Sequence, residues 1–231
     1  MASVVGYSAI QLTAVLALIA LVLQVLFEID EKISARKTPT WYPTFQRALP
    51  HISEEIEMRL RRGKKVKIRW IGVTHEAGWP FSQNILLSML GGRLGEKGAL
   101  SVELALLDPD GDICQRPNSP DRDQIRSTKE KISRFGSSQA AELAEHDSSL
   151  ALYLYDHRPT WHALLVDEDT LFYSTCMPSN LEFASPQGGV EVISVDSGEH
   201  NAERVQHFVA WFDVIESEAR SSGKYAESPV T

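Results

Sequence analysis

Histidine, arginine and acidic side chains gather in one stretch, Leu152 to Asn180, which reads LYLYDHRPTWHALLVDEDTLFYSTCMPSN. It contains His157, Arg158, His162 and Asp167, while a second pair, His75 and Glu76, follows the apolar run Val66 to Val73. Imidazole titrates near neutrality and is suited to general acid, general base or nucleophilic work. The planar guanidinium of Arg158 suits bidentate contact with phosphate. Ligands of open α/β sheets bind beyond the carboxyl ends of strands, and both His75 and His157 follow strands in that way. His75, Glu76, His157 and Arg158 therefore form a candidate ligand-binding set, although a lone histidine in such a place is more often an ordinary loop residue. His75-Glu76 lacks a second histidine four residues after the first, so the chain has no metal signature, and no cofactor is implied. Gly91, Gly92 and Gly95 superficially suggest a dinucleotide loop. They close a helix ahead of a strand, the reverse of the order that cradles phosphate.

The elements that must position these residues follow from periodicity. Ile52, Ile56 and Leu60 share one face of a helix expected from Pro50 to Arg62, with Gly63 as its stop. A strand over Val66–Val73, a helix over Phe81–Leu94 and a strand over Leu100–Leu107 predict a parallel crossover. The polar segment from Pro120 to Glu145 is helix-prone, with a break expected at Gly136. Strands are expected at Leu150–Tyr155, Ala163–Val166 and Leu171–Thr175, the last two joined as a hairpin through Asp167, Glu168, Asp169 and Thr170. A strand over Gly189–Val195 and an amphipathic helix over Asn201–Ala219 close the domain.

The hairpin resembles the active-site hairpin of the phospholipase D superfamily, in which H-x-K, four residues and D lie on two strands joined by a tight turn. More weakly, the resemblance extends over Val66 to Ile215. It implies a histidine nucleophile, a lysine that neutralises phosphate and an aspartate that orients the imidazole. Counting forward from His162 puts Leu164 at the lysine position and Asp169 at the aspartate. Aligning by the turn puts Thr160 at the nucleophile, His162 at the lysine and Asp167 at the aspartate, with Ser174 and Thr175 in place of Gly-Ser. Both registers lose the lysine. What the resemblance implies as a catalytic pair is His162 and Asp167, in a domain more readily read as non-catalytic. The alternative is a membrane-bound phosphodiesterase acting on phospholipid or nucleic acid, assembled as a homodimer to supply two motifs.

The first charged side chain is Glu28, and Ile10 to Phe27 reads IQLTAVLALIALVLQVLF. This is long enough and apolar enough for a single membrane span over about residues 7–27. Lys32, Arg36 and Lys37 lie only on its C-terminal side, which predicts the N-terminus outside and the following domain in the cytoplasm. Trp41 and Tyr42 would either rest at the headgroup level or pack onto the domain. Two cysteines, Cys114 and Cys176, fit a reducing compartment.

Residues 28–69 carry a net charge of +5, and residues 70–231 carry −13. Arg59, Arg61, Arg62, Lys64, Lys65, Lys67 and Arg69 make a dense basic run. It would either attract anionic headgroups or complement a helix C-terminus, the second being the simpler reading. The acidic remainder argues against nucleic acid as a partner. The expected fold is α/β, with one transmembrane helix and a single mixed-sheet phospholipase D-like domain. Its divisions are an anchor at 1–33, a connector and basic helix at 34–65, the domain at 66–220 and a disordered tail at 221–231.

Overall fold

The computed structural model describes residues 15–16, 19, 21–25, 40–94, 98–116, 119–175 and 189–228. The chain divides into two compact units, Met1–Pro39 and Thr40–Thr231. The described residues of the first unit are helical, and Val15, Leu16, Ile19, Leu21, Val22, Leu23 and Val25 all expose about half of their surface. No helix among the described residues is long and apolar enough to cross a membrane. The span expected over 7–27 lies largely outside those residues.

In the second unit, the order is β1 (Trp41–Tyr42), α1 (Phe45–Arg61), β2 (Lys65–Gly72), α2 (Gly78–Leu90), β3 (Ala99–Leu107) and, after a short 3-10 turn, α3 (Arg122–Ser138). Then come α4 (Ala140–Glu145), β4 (Ser149–Tyr155), β5 (Trp161–Val166), β6 (Thr170–Thr175), β7 (Val190–Ser194), α5 (Glu199–Ser221) and β8 (Tyr225–Ser228). One mixed sheet holds all eight strands in the order β1-β7-β6-β5-β2-β3-β4-β8. β2, β3 and β4 run parallel, whereas β5 lies antiparallel against β2.

Neighbouring residues of a strand point to opposite faces, so the ring contacts assign the layers. Trp70 packs against Phe45 of α1 and Phe81 of α2, and Trp79 of α2 meets Phe135 of α3. Across the sheet, the Arg69 guanidinium lies 5.4 Å from the Phe212 ring centroid and Tyr153 meets the same ring, so α5 covers the second face. A charged network lies under α5: buried Arg69 pairs with Glu103 at 2.9 Å and Asp213 at 3.0 Å, and Lys67 pairs with Glu103 at 2.9 Å.

Three boundaries differ from expectation. α1 begins at Phe45, one turn and more before Pro50, because the Thr44 hydroxyl caps it by accepting from Arg47 N. Phe45, Ala48, Ile52, Ile56 and Leu60 are buried in the main core, so the segment expected as connector and basic helix is part of the domain. The helical break falls at Gln139, since Gly136 sits inside α3, where it packs close to Leu150 and Ser228. Residues 225–228, expected as tail, form β8: they pair with β4, and the Ser228 hydroxyl donates to Gly136 O at 2.7 Å.

The basic run is spent mostly on ion pairs. Arg59 binds Glu55, Asp167 and Asp169, while Arg61, Lys65, Lys67 and Arg69 pair with Glu57, Asp147, Glu103 and Glu103 respectively. Among the described residues, Arg62 and Lys64 have no ion pair and remain exposed.

Candidate functional site

β5 runs antiparallel to β2, so its first residues lie beside the carboxyl end of β2, with Ala163 opposite Ile71. This register brings His162 to Gly72. A methyl group on Gly72 would lie 3.3 Å from His75 Cε1 and 3.5 Å from His162 Cδ2, so both imidazoles flank the same backbone position. Tyr155, at the end of β4, donates its hydroxyl to Gly72 O at 3.3 Å and steadies the corner from the third parallel strand.

His75 is buried, and its backbone occupies the left-handed region at φ 49°. Strain of this kind costs on the order of 1 kcal/mol or more and persists only where the surroundings impose it. Here Nε2 donates to Ala105 O at 2.9 Å, which leaves Nδ1 as a buried lone pair without a partner among the described residues. His162 has the complementary state. The Trp70 indole N–H donates to its Nε2 at 3.3 Å, so its proton sits on Nδ1, again buried and unpartnered. The ring stacks on Phe45 at 4.3 Å and faces Trp70 at 6.2 Å. Ser174 lies directly opposite His162 in the β5–β6 ladder, buried, with its hydroxyl unpartnered.

Burial pushes His75 down to about 4, and burial together with the neighbouring His75 pushes His162 down to about 3. Both rings are therefore neutral near pH 7. The corner presents a donor (His162 Nδ1–H), an acceptor (His75 Nδ1) and a hydroxyl (Ser174), walled by aromatic rings. Among the described residues, no lysine or arginine pairs with either imidazole. The set holds enclosed hydrogen-bonding capacity that no side chain among the described residues uses; rapid proton transfer at neutral pH does not suit it, because an imidazole of such low basicity makes a weak base.

The other expected site residues lie elsewhere. Asp167 stands in the β5–β6 turn, and at about 3.3 Å per residue it is roughly 16 Å along the strand from His162. Its carboxylate accepts from Arg59 at 2.8 Å and from Lys67 N at 2.7 Å. Arg59 also holds Asp169 and Glu55, and these contacts raise its pKa above the ordinary range despite desolvation. The structure thus does not join Asp167 to His162. Asp167 and Glu168 both adopt positive φ, at 52° and 66°, the backbone of a type I′ hairpin turn. Asp167 therefore shapes the turn and ties it to α1.

His157 is on the α5 side of the sheet, half-buried against Tyr155 at 4.9 Å and Trp211 at 5.3 Å. Burial lowers its pKa, and its Nε2 is enclosed without a partner. Arg158 and Glu76 are exposed and make no ion pair among the described residues. Of the four candidate ligand-binding residues, only His75 reaches the corner, where it meets His162. Trp70 and Phe45, which set the tautomer and the wall, had no signal in their own sequence neighbourhoods beyond apolar character. Cys114 is buried, and its thiol is pushed up to about 11 by burial and by Asp108 and Asp156, so it is unreactive. Cys176 and Asn180 lie outside the described residues. Among the described residues, no group of three or more His, Cys, Asp or Glu is placed to hold a metal ion.

No family model matches the chain, and no curated protein matches it. Among solved structures, the chain is similar to phosphatidylserine synthase of Haemophilus influenzae Rd KW20, with 14% identity and a TM-score of 0.41. That similarity covers 75% of this chain and 40% of the other, so the chain spans well under half of the protein it matches.

Proposed function

We propose that this chain is a membrane-tethered binding module built on a phospholipase D-like α/β domain that has lost catalysis, and that its ligand carries a phosphodiester. One observation carries the non-catalytic reading: each surviving hallmark of the hairpin is absorbed into structure. His162, at the lysine position of the turn-aligned register, is a neutral acceptor of the Trp70 N–H. Asp167 is clamped by Arg59 at the far end of the strand. A preorganised charge missing from such a site commonly costs about a hundredfold to a thousandfold in rate. The unpartnered His162 Nδ1–H and Ser174 hydroxyl would supply the donors for phosphate oxygens, and exposed Arg158, in the β4–β5 connection that leads into His162, would supply the charged contact.

Tethering is supported by the uncharged apolar stretch ahead of Glu28 and by the exposed apolar side chains between Val15 and Val25. Lys32, Arg36 and Lys37 on one flank support a cytoplasmic domain. Incubating the full chain in detergent micelles with bis(p-nitrophenyl) phosphate tests both halves. The expected outcome is saturable binding without release of nitrophenol, weakened severalfold by Ser174→Ala and by Arg158→Ala. Turnover abolished by His162→Ala establishes the phosphodiesterase instead, and absence of binding removes the ligand assignment. Resistance of the chain to alkaline carbonate extraction from membranes, lost when residues 1–33 are deleted, tests the tether.

A further inference from the structure

Beside the β4–β8 edge, on the α3 face of the sheet, is a cleft of about 310 Å³ lined by Asp108, Lys129, Ser133, Leu152, Leu154 and Lys224, among others. It lies apart from the histidine corner, and neither the hairpin nor its resemblance accounts for it. Three connections build it. The β3 carboxyl end supplies Asp108, α3 supplies Lys129 and Ser133 one turn apart, and the α5–β8 turn supplies Lys224. That turn is held by Gly223 at φ 69° and by Lys224 N donating to Ala219 O at 2.8 Å. Leu152 and Leu154 of β4 make an apolar floor.

The charges decide the ligand. Each acid near the cleft except exposed Asp112 is already engaged. Asp108 is buried, accepts from Asp110 N at 3.0 Å and pairs with Lys224 at 2.8 Å. Asp110 is neutralised by Arg122 and Arg126, each at 2.8 Å. Asp156 turns its carboxylate to the N–H groups of Asp112 and Ile113, at 2.7 and 3.0 Å; exposed Asp112 lies on the rim of the same loop. The cations are not spent in the same way. Lys129 has no ion pair among the described residues, and an ammonium carries three donors, of which Lys224 uses one on Asp108. The Ser133 hydroxyl has no hydrogen bond among the described residues either.

We infer that this cleft binds a phosphate monoester, with Lys129, Lys224 and Ser133 each meeting one phosphate oxygen and the Leu152–Leu154 floor taking a short carbon body. Three donors, two from α3 and one from the α5–β8 turn, match three non-bridging oxygens, whereas a carboxylate would leave one idle. The volume, at the lower end of small-molecule sites, suits a glycerol phosphate-sized group, either free or as the headgroup of an anionic lipid.

Isothermal titration of the full chain in detergent micelles with inorganic phosphate tests the assignment. Saturable binding is expected, weakened at least fivefold by Lys129→Gln, about two- to threefold by Ser133→Ala, and unchanged by Arg62→Gln, an exposed cation that does not line the cleft. Absence of saturable binding, or binding indifferent to Lys129→Gln, overturns it; both substituted side chains are half-buried on α3 and give up no ion pair or hydrogen bond among the described residues, so folding is preserved and checked by far-UV circular dichroism. Equal weakening by Arg62→Gln would show a diffuse attraction to surface cations and also overturn it. Repeating the titration after reconstitution into vesicles with and without phosphatidic acid separates the sources. Competition by that lipid assigns the site to a headgroup, and unchanged phosphate uptake assigns it to a free monoester.

Discussion

Gly78→Ala is the sharpest test of how the histidine corner is held. A methyl group at this first residue of α2 would lie 2.6 Å from His75 Nδ1 and 3.2 Å from the Trp70 ring. Real contacts of that kind begin near 3.4 Å, so His75 must retreat by roughly 0.8 Å. Its freedom to do so is small, because Nε2 is bonded to Ala105 O at 2.9 Å and the ring sits edge-on to Trp70 at 5.6 Å. Losing the hydrogen bond costs about 1 kcal/mol, and overpacking a dense interior costs about 1 to 3 kcal/mol. The expected destabilisation is about 2 to 4 kcal/mol. For a domain of this size it lowers Tm by about 4 to 16 °C. Urea unfolding of the full chain in micelles, followed by tryptophan fluorescence, measures it. The decisive arm is the double variant with His75→Ala. Once the His75 ring is gone, the 2.6 Å clash is removed and only the Trp70 ring, at 3.2 Å, has to give by a few tenths of an ångström, against which Gly→Ala gains about 0.4 to 1 kcal/mol through the unfolded state. The penalty should therefore fall to near zero. A penalty below about 0.5 kcal/mol in the single variant, or an equal penalty in both backgrounds, refutes the packing described for this corner.

Arg59→Ala leaves Asp167, Asp169 and Glu55 facing one another and should cost about 2 to 3 kcal/mol, with Arg59→Lys recovering part of it; equal urea midpoints for the three proteins would show that the clamp contributes nothing. Acidification should unfold the domain through its buried histidines. Their folded pKa values, about 4 for His75 and about 3 for His162, lie below the unfolded 6.5, so the unfolded state binds more protons below pH 6.5. Stability is complete above that pH and falls towards pH 4 by up to about 1.4 kcal/mol per unit for each ring; His162→Gln should flatten the slope, and an unchanged slope would contradict the assignment. Truncation after Ser221 removes β8 and the Ser228 bond to Gly136 O, so it should lower Tm by several degrees; a disordered tail could be removed at no cost.

The strands were legible because their periodicity is strong. β2, β3, β4 and the β5–β6 hairpin appear within a residue or two of the places their alternation indicates. What alternation conceals is the order of strands in the sheet. Only the pairing of β5 with β2 brings His162 to Gly72 and leaves His157 on the opposite face. β8 was invisible because YAES is short, polar and at an edge, where pairing and not burial decides. The early start of α1 did have a signal, Thr44 as cap, which Pro50 obscured: proline favours a first turn, yet here it lies one turn further in. The basic run looked like a surface feature, and its partners come from residues as distant as Asp147 and Asp213.

The strand order also governs how this domain can assemble. β2, β3 and β4 are consecutive and parallel, so they can form a nucleus once residues up to Tyr155 are available. Both flanks of that nucleus stay open until later chain arrives: β5 must close β2, and β8, near the end, must close β4. β1 waits longer still in proportion to its size, since Trp41 pairs with Glu191 through a two-residue ladder. Loop-closure entropy is therefore high and the rewards come late, a pattern associated with slow folding and transiently exposed strand edges. During synthesis, the sticky intermediate would be the three-stranded core with bare β2 and β4 edges, and refolding from urea should show a slow phase that depends on β8 being present.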